Sequence, residues 1–133
     1  MRCQASRAAA SSAASATSTA PEISVRQVSV PGGSFGAVAV LTLDRPRAKN
    51  AVGRALLAGL RAELAQLRDA APGNRPRALV LRSAVPGAFC AGADLRERKT
   101  MTQDEARAFV DALRDTFTEI AELPVPTVAA VNG

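Results

Sequence analysis

Apolar positions in this chain recur at two periods, and the switches between them outline its elements. Near the start, Ile23, Val25, Val28 and Val30 alternate with polar residues, so residues 24–30 read as a strand with one buried face. Pro31-Gly32-Gly33-Ser34 is a turn signal, residues 37–43 read as a second strand, and the two are expected to form a hairpin. A polar loop at 44–50 ends in Asn50, a residue type suited to cap the helix expected over 51–70. There Leu56, Leu57, Leu60, Leu64 and Leu67 recur at helical spacing, with Arg and Glu opposite, and Pro72-Gly73-Asn74 closes the helix. Residues 78–81 are apolar throughout, as in a strand buried on both faces. A Gly-bearing loop at 83–92 and a helical turn at 94–99 follow. Thr102 and Glu105 then have the spacing of a capping box. The helix it opens gathers Ala106, Phe109, Val110, Leu113, Phe117 and Ile120 on one face, with both Phe residues reading as core. Pro124 and Pro126 end it, and residues 127–131 form a fourth strand. The order β-β-α-β-α-β predicts an α/β fold with parallel pairing among the later strands and right-handed crossovers, as one domain over 22–133.

Composition changes this picture at the N-terminus. Residues 1–20 are mostly Ala, Ser and Thr with Arg2 and Arg7, and the first acidic residue is Glu22. That is the pattern of an organelle transit peptide over 1–21, with the mitochondrial matrix as the expected destination and plastid or cytoplasm as alternatives. The net charge is +5, and without the leader the chain is mildly basic, which suits anionic small molecules at least as well as nucleic acid. No apolar run reaches the roughly 18 residues of a membrane span, so no membrane partner is expected.

The absence of His excludes His triads, His metal sites and His general bases within the chain. With no Trp or Tyr and only four Phe, stacking platforms for single-stranded nucleic acid are not expected. Cys3 and Cys90 do not make a metal-spacing pair, so neither a metal site nor a disulfide framework is predicted. Cys90 reads as a small packed residue, since no His stands ready to activate it.

The strongest chemical signal is Gly87-Ala88-Phe89-Cys90-Ala91-Gly92-Ala93-Asp94-Leu95, between a strand and a helical turn. Small residues there let a ligand approach the backbone. N–H groups left free at the turn can hold a developing negative charge on an activated carbonyl. Asp94 reads as an acid that stabilises the helix start rather than as an acid catalyst.

Three segments in order resemble the crotonase superfamily of enoyl-CoA hydratases and isomerases. Leu43-Asp44-Arg45-Pro46-Arg47-Ala48-Lys49-Asn50-Ala51 is similar to its L-N-R-P-x-x-x-N-A loop. Phe89-Cys90-Ala91-Gly92-Ala93-Asp94-Leu95 is similar to its F-x-A-G-A-D-L loop. Pro124-Val125-Pro126-Thr127-Val128-Ala129-Ala130-Val131-Asn132-Gly133 is similar to its x-P-x-P-x-I-A-A-V-x-G strand. Within the superfamily, Ala93-Asp94-Leu95-Arg96-Glu97-Arg98-Lys99 followed by Met101 looks closest to methylglutaconyl-CoA hydratases.

The resemblance implies a crotonase-like (ClpP/crotonase) ββα spiral fold, of which 22–133 would be the N-terminal portion. It implies lyase chemistry: hydration of a 2-enoyl-CoA through a thioester enolate held by two backbone N–H groups. One of them maps to Ala93. Ala91 and Gly92 would line the CoA crossing point, where a side chain would obstruct it. Asp94, Leu95 and Arg96 would flank the thioester and pantetheine, and Arg47 and Ala48 the nucleotide end. No cofactor is implied, since coenzyme A is part of the substrate.

In the family the last strand leads into a Gly-rich turn with the second N–H, and into elements bearing the catalytic carboxylates and the C-terminal helices of trimerisation. None of these lies within the 133 residues. The chain is therefore expected to be inactive alone, and a homo-oligomer (trimer or hexamer) is expected only of a full-length protein. A delta isomerase of the same superfamily and an RNA-binding module through Arg96, Arg98 and Lys99 are the alternatives.

Overall fold

The computed structural model describes residues 22–29 and 36–132. The leader over 1–21, the turn at 31–34, Val30 and Gly133 lie outside the described residues. β1 (Ile23–Ser29) and β2 (Ala37–Leu43) pair antiparallel, Ile23 facing Leu43 and Ser29 facing Ala37. β3 (Ala78–Ser83) joins β2 in parallel and β4 (Thr127–Ala130) joins β3 in parallel, so the sheet runs β1-β2-β3-β4. Alternation decides which residues of the sheet are covered. Ala39, Leu41, Leu43, Ile23 and Leu79 share one face and are buried. Val38, Val40 and Val80, on the opposite face, are half-buried, and Val128 is exposed.

The covered face is filled by α1 (Arg54–Asp69), whose Leu56, Leu57, Leu60 and Leu64 are buried in the same cluster. Burying a Leu side chain contributes about 1.5–3 kcal/mol. α3 (Gln103–Ala121) packs along α1 and brings Phe109 into that cluster. It starts where expected, with both halves of the Thr102–Glu105 capping box made. Between α1 and α3 lies a single short turn of helix, α2 (Leu95–Arg98). No helix among the described residues is long and apolar enough to cross a membrane.

The structure corrects several expectations. The first long helix begins at Arg54 with Gly53 at its N-cap, not at Ala51 after an Asn50 cap. Asn50 is instead buried in a left-handed conformation, and Val52 forms a bridge with Ala93 before the helix can start. β3 continues through Arg82 and Ser83, because these still pair with Thr42 and Leu43. It is buried on one face rather than two. β4 ends at Ala130, one residue early. Phe117 is 53% exposed and does not join the core. Cys90 is exposed as well.

Candidate functional site

β2 and β3 run parallel and end side by side, with Leu43 opposite Ser83. The loops that leave them therefore meet at one end of the sheet. The first makes a 3-10 turn at Pro46–Ala48 and then two consecutive left-handed residues, Lys49 (φ 48°) and Asn50 (φ 57°). Asparagine tolerates this region better than most residues. The second loop is stitched to the first along its length. The Ala91 N–H donates to Lys49 O at 3.0 Å, the Val52 N–H to Gly92 O at 2.7 Å, and the Asp94 N–H to Val52 O at 2.9 Å.

A parallel bridge of this kind turns the N–H and C=O of the bracketed residue away from its partner. The bracketed residue is Ala93. Its N–H has no hydrogen-bond acceptor among the described residues. Gly92, beside it, has φ +90°, and the space around a side chain placed there is open. Its glycine is thus required by backbone conformation rather than by crowding.

Below this stitch sits a polar cluster. Arg45 bridges two carboxylates, with Nε 2.9 Å from Glu22 and Nη1 2.7 Å from Asp94, and its Nη1 also donates to Ala51 O at 2.7 Å. Asp94 is fully engaged. One oxygen faces Arg45, and the other accepts the N–H groups of Arg96 (3.0 Å) and Glu97 (3.3 Å), which caps α2. The Arg45 guanidinium, aided by those N–H groups, holds the Asp94 carboxyl below the usual carboxylate range. Asp94 is therefore a structural anion, in keeping with the sequence reading.

Glu97 has a role that sequence reasoning missed. Its Oε2 accepts the Arg54 N–H at 2.9 Å and so caps α1 from the far side of the loop. Gly53 makes room for it, because a Cβ at that position would collide with the Glu97 carboxylate. A glycine directly before a leucine-rich helix, together with a glutamate in the next helical turn, was the available signal.

The two loops enclose an open cleft of about 930 Å³. Of the residues expected at the site, Arg47, Ala48, Ala91, Ala93, Asp94, Leu95 and Arg96 line it, and Gly92 does not. Lys49, Asp44 and Glu22 line it too, without having been anticipated. Arg47, Lys49 and Arg96 have no carboxylate within ion-pair distance among the described residues. Leu95 is 68% exposed, an apolar side chain on the cleft wall. The cleft thus combines an open backbone donor, an apolar contact and a cationic margin.

Comparison with known proteins gives a consistent picture. The Enoyl-CoA hydratase/isomerase family profile matches residues 34–133. An enoyl-CoA isomerase/hydratase of Zymoseptoria tritici is 43% identical over 92% of this chain and 40% of its own. Methylglutaconyl-CoA hydratase 1, mitochondrial, of Pyricularia oryzae is 40% identical over 82% of this chain and 38% of its own. Among solved structures, an enoyl-CoA hydratase of Bacillus anthracis superposes with a TM-score of 0.71 at 36% identity, covering 84% of this chain and 40% of that one. The chain therefore spans about 40% of the length of these relatives.

Proposed function

The chain belongs to the enoyl-CoA hydratase/isomerase family and carries the crotonase fold, and from that membership we propose that its cleft receives an acyl-CoA thioester. The observation that carries this reading is the open Ala93 N–H on a wall shared with Arg47, Lys49 and Arg96. The N–H receives the thioester oxygen as the carbonyl becomes an enolate, and a preorganised donor of this kind contributes roughly 3–4 kcal/mol to the transition state. Arg47 and Ala48 face the nucleotide end, where a cation meets phosphate. Ala91 and Ala93 form the crossing point, with Gly92 setting the backbone turn between them, and Leu95 and Arg96 flank the pantetheine.

The reaction is hydration of a 2-enoyl-CoA. Methylglutaconyl-CoA is the substrate favoured by the segment from Ala93 to Met101, and it fits the name of a relative at 40% identity. Isomerisation of the double bond passes through a dienolate whose thioester oxygen the same N–H would hold. It is the second reading, favoured by the isomerase/hydratase at 43% identity.

Hydration needs one group to take a proton from water and another to deliver one to carbon. Asp94 and Glu22 are committed to Arg45, which leaves Asp44 as the free carboxylate of the cleft among the described residues. The 133-residue chain alone accordingly binds the thioester without hydrating it. Residues 1–21 direct the protein to mitochondria, a reading supported by several relatives that are themselves named as mitochondrial proteins.

Calorimetric titration of the chain with free CoA and with acetoacetyl-CoA tests the reading. Saturable binding that favours the thioester is expected, with no loss of enoyl absorbance when a 2-enoyl-CoA is supplied. Absence of saturable binding to either ligand overturns the acyl-CoA reading, and turnover overturns the inactivity of the chain. A fluorescent reporter fused to residues 1–21 should enter mitochondria, and a reporter left in the cytoplasm defeats that part.

A further inference from the structure

We propose that Asn50 is the positioning residue of this cleft, holding the loop that presents the Ala93 N–H. Three observations converge on it. The side chain is fully buried and makes three hydrogen bonds, using both donors of its Nδ2 and accepting at its Oδ1. Its Oδ1 accepts the Arg45 N–H at 2.8 Å, and its Nδ2 donates to Ser83 Oγ at 2.8 Å and to Phe89 O at 2.9 Å. Asn50 therefore ties the start of its own loop, the end of β3 and the entry of the second loop to one point. Its backbone adds to this, since Asn50 O accepts the Cys90 thiol at 3.1 Å.

Ser83 extends the tie. Its hydroxyl accepts from Nδ2 and from the Val85 N–H (2.9 Å), and gives its proton to Ala88 O (2.6 Å). The run from Ser83 to Phe89 is thus held at both ends from Asn50. Just beyond Phe89 come the three stitches at Ala91, Gly92 and Asp94 that leave the Ala93 N–H open. Asn50 does not itself line the cleft. It acts through Phe89 and the stitch. The left-handed φ of 57° favours Gly, Asn or Asp at this position, and of these only Asn supplies both the acceptor and the two donor bonds.

Asn50→Gly separates the two functions, because glycine keeps the conformation and removes the hydrogen bonds. The first measurement is residue-resolved hydrogen exchange on the 133-residue chain. The amides of Ala91, Val52 and Asp94 should exchange about tenfold faster in the variant, while those of Leu57 and Leu79 stay within about twofold. A uniform acceleration at all five positions overturns the proposal, since Asn50 would then be an ordinary core support. Unchanged exchange at the first three overturns it as well. Should Asn50→Gly fail to fold, Asn50→Asp keeps the Oδ1 acceptor for the Arg45 N–H, removes both Nδ2 donations and must speed the same three amides selectively; a uniform or absent effect overturns the proposal.

The second measurement concerns recognition of the thioester and rests on the acyl-CoA reading. Asn50→Gly should lower the ratio of acetoacetyl-CoA to free-CoA affinity by about fivefold, the scale of one hydrogen bond lost from the thioester oxygen. An unchanged ratio overturns the positioning of Ala93. If the wild type binds neither ligand, it is the acyl-CoA reading that fails, and the exchange pattern still decides the role of Asn50.

Discussion

The core under α1 and the loops over the cleft lie at neighbouring levels of one molecule, yet they are held by different forces. The core is a patch of leucines: Leu41, Leu56, Leu64 and Leu79 are each nearly inaccessible, and burial of apolar area alone explains their packing. The cleft loops add only Ala51, Val52 and Val85 to the buried apolar residues. They are fixed instead by hydrogen bonds from side chains to backbone groups, through Asn50, Arg45, Asp94 and Glu97. Apolar burial is non-directional and tolerates small shifts, whereas these bonds constrain distance and angle. The fold is secured in the first region and the placement of one N–H group in the second. Damage to the core should therefore unfold the chain, while damage to the loops should displace the site in a chain that stays folded.

The largest effect should come from the core. Leu56→Ala is expected to cost about 2–5 kcal/mol in denaturant unfolding, because Leu56 is 1% exposed and the space it leaves cannot fully collapse. A cost no larger than that of a loop variant would erase the contrast between the regions. Next comes the α1 cap. Glu97→Ala removes the acceptor of the Arg54 N–H and should cost about 1 kcal/mol. Gly53→Ala should cost a similar amount by displacing the same carboxylate, so the double variant should lose clearly less than the sum. Simple additivity in that cycle would show that the two residues do not meet.

Acid should bring a smaller change. The lowered Asp94 carboxyl means that its ion pair stabilises the fold above the unfolded pKa of about 3.9, and that this contribution is lost as pH falls through the lower, folded value. The stability difference between wild type and Asp94→Asn should therefore stay level near neutral pH and close progressively below about pH 4. Denaturant midpoints measured across that range check it; a difference that widens in acid would reverse the assignment. Smallest of all, Phe117→Ser should shift stability by no more than about 0.5 kcal/mol, since the ring is half-exposed on α3. A larger loss would place Phe117 in the core after all.

The same division explains what could be read from the sequence. Periodicity reports burial of one face, so the strands and both long helices were legible, and so was the capping box, whose partners lie three residues apart. The two loop motifs were legible as neighbours because each is a continuous segment leaving a strand, and Arg47, Ala48, Ala91, Ala93, Asp94, Leu95 and Arg96 from them line one cleft, whereas Gly92 does not. The ties between segments were not. Asn50 reads locally as a helix cap, but its partners Ser83 and Phe89 are 33 and 39 residues away. Glu97 caps a helix that begins 43 residues earlier. Exposure of Phe117 was hidden for the opposite reason: helical spacing places it on the apolar side, but α1 covers only part of that side.

The Gly53–Glu97 contact has a consequence for descent. Because a methyl group at 53 would occupy the volume of the Glu97 carboxylate, a side chain at 53 and the cap made by residue 97 exclude one another in the present arrangement. A lineage that acquires a side chain at 53 must swing the Glu97 carboxylate aside and gives up the cap it makes on the helix. The two codons should thus be inherited as a linked pair, although 43 residues separate the two ends of the hydrogen bond.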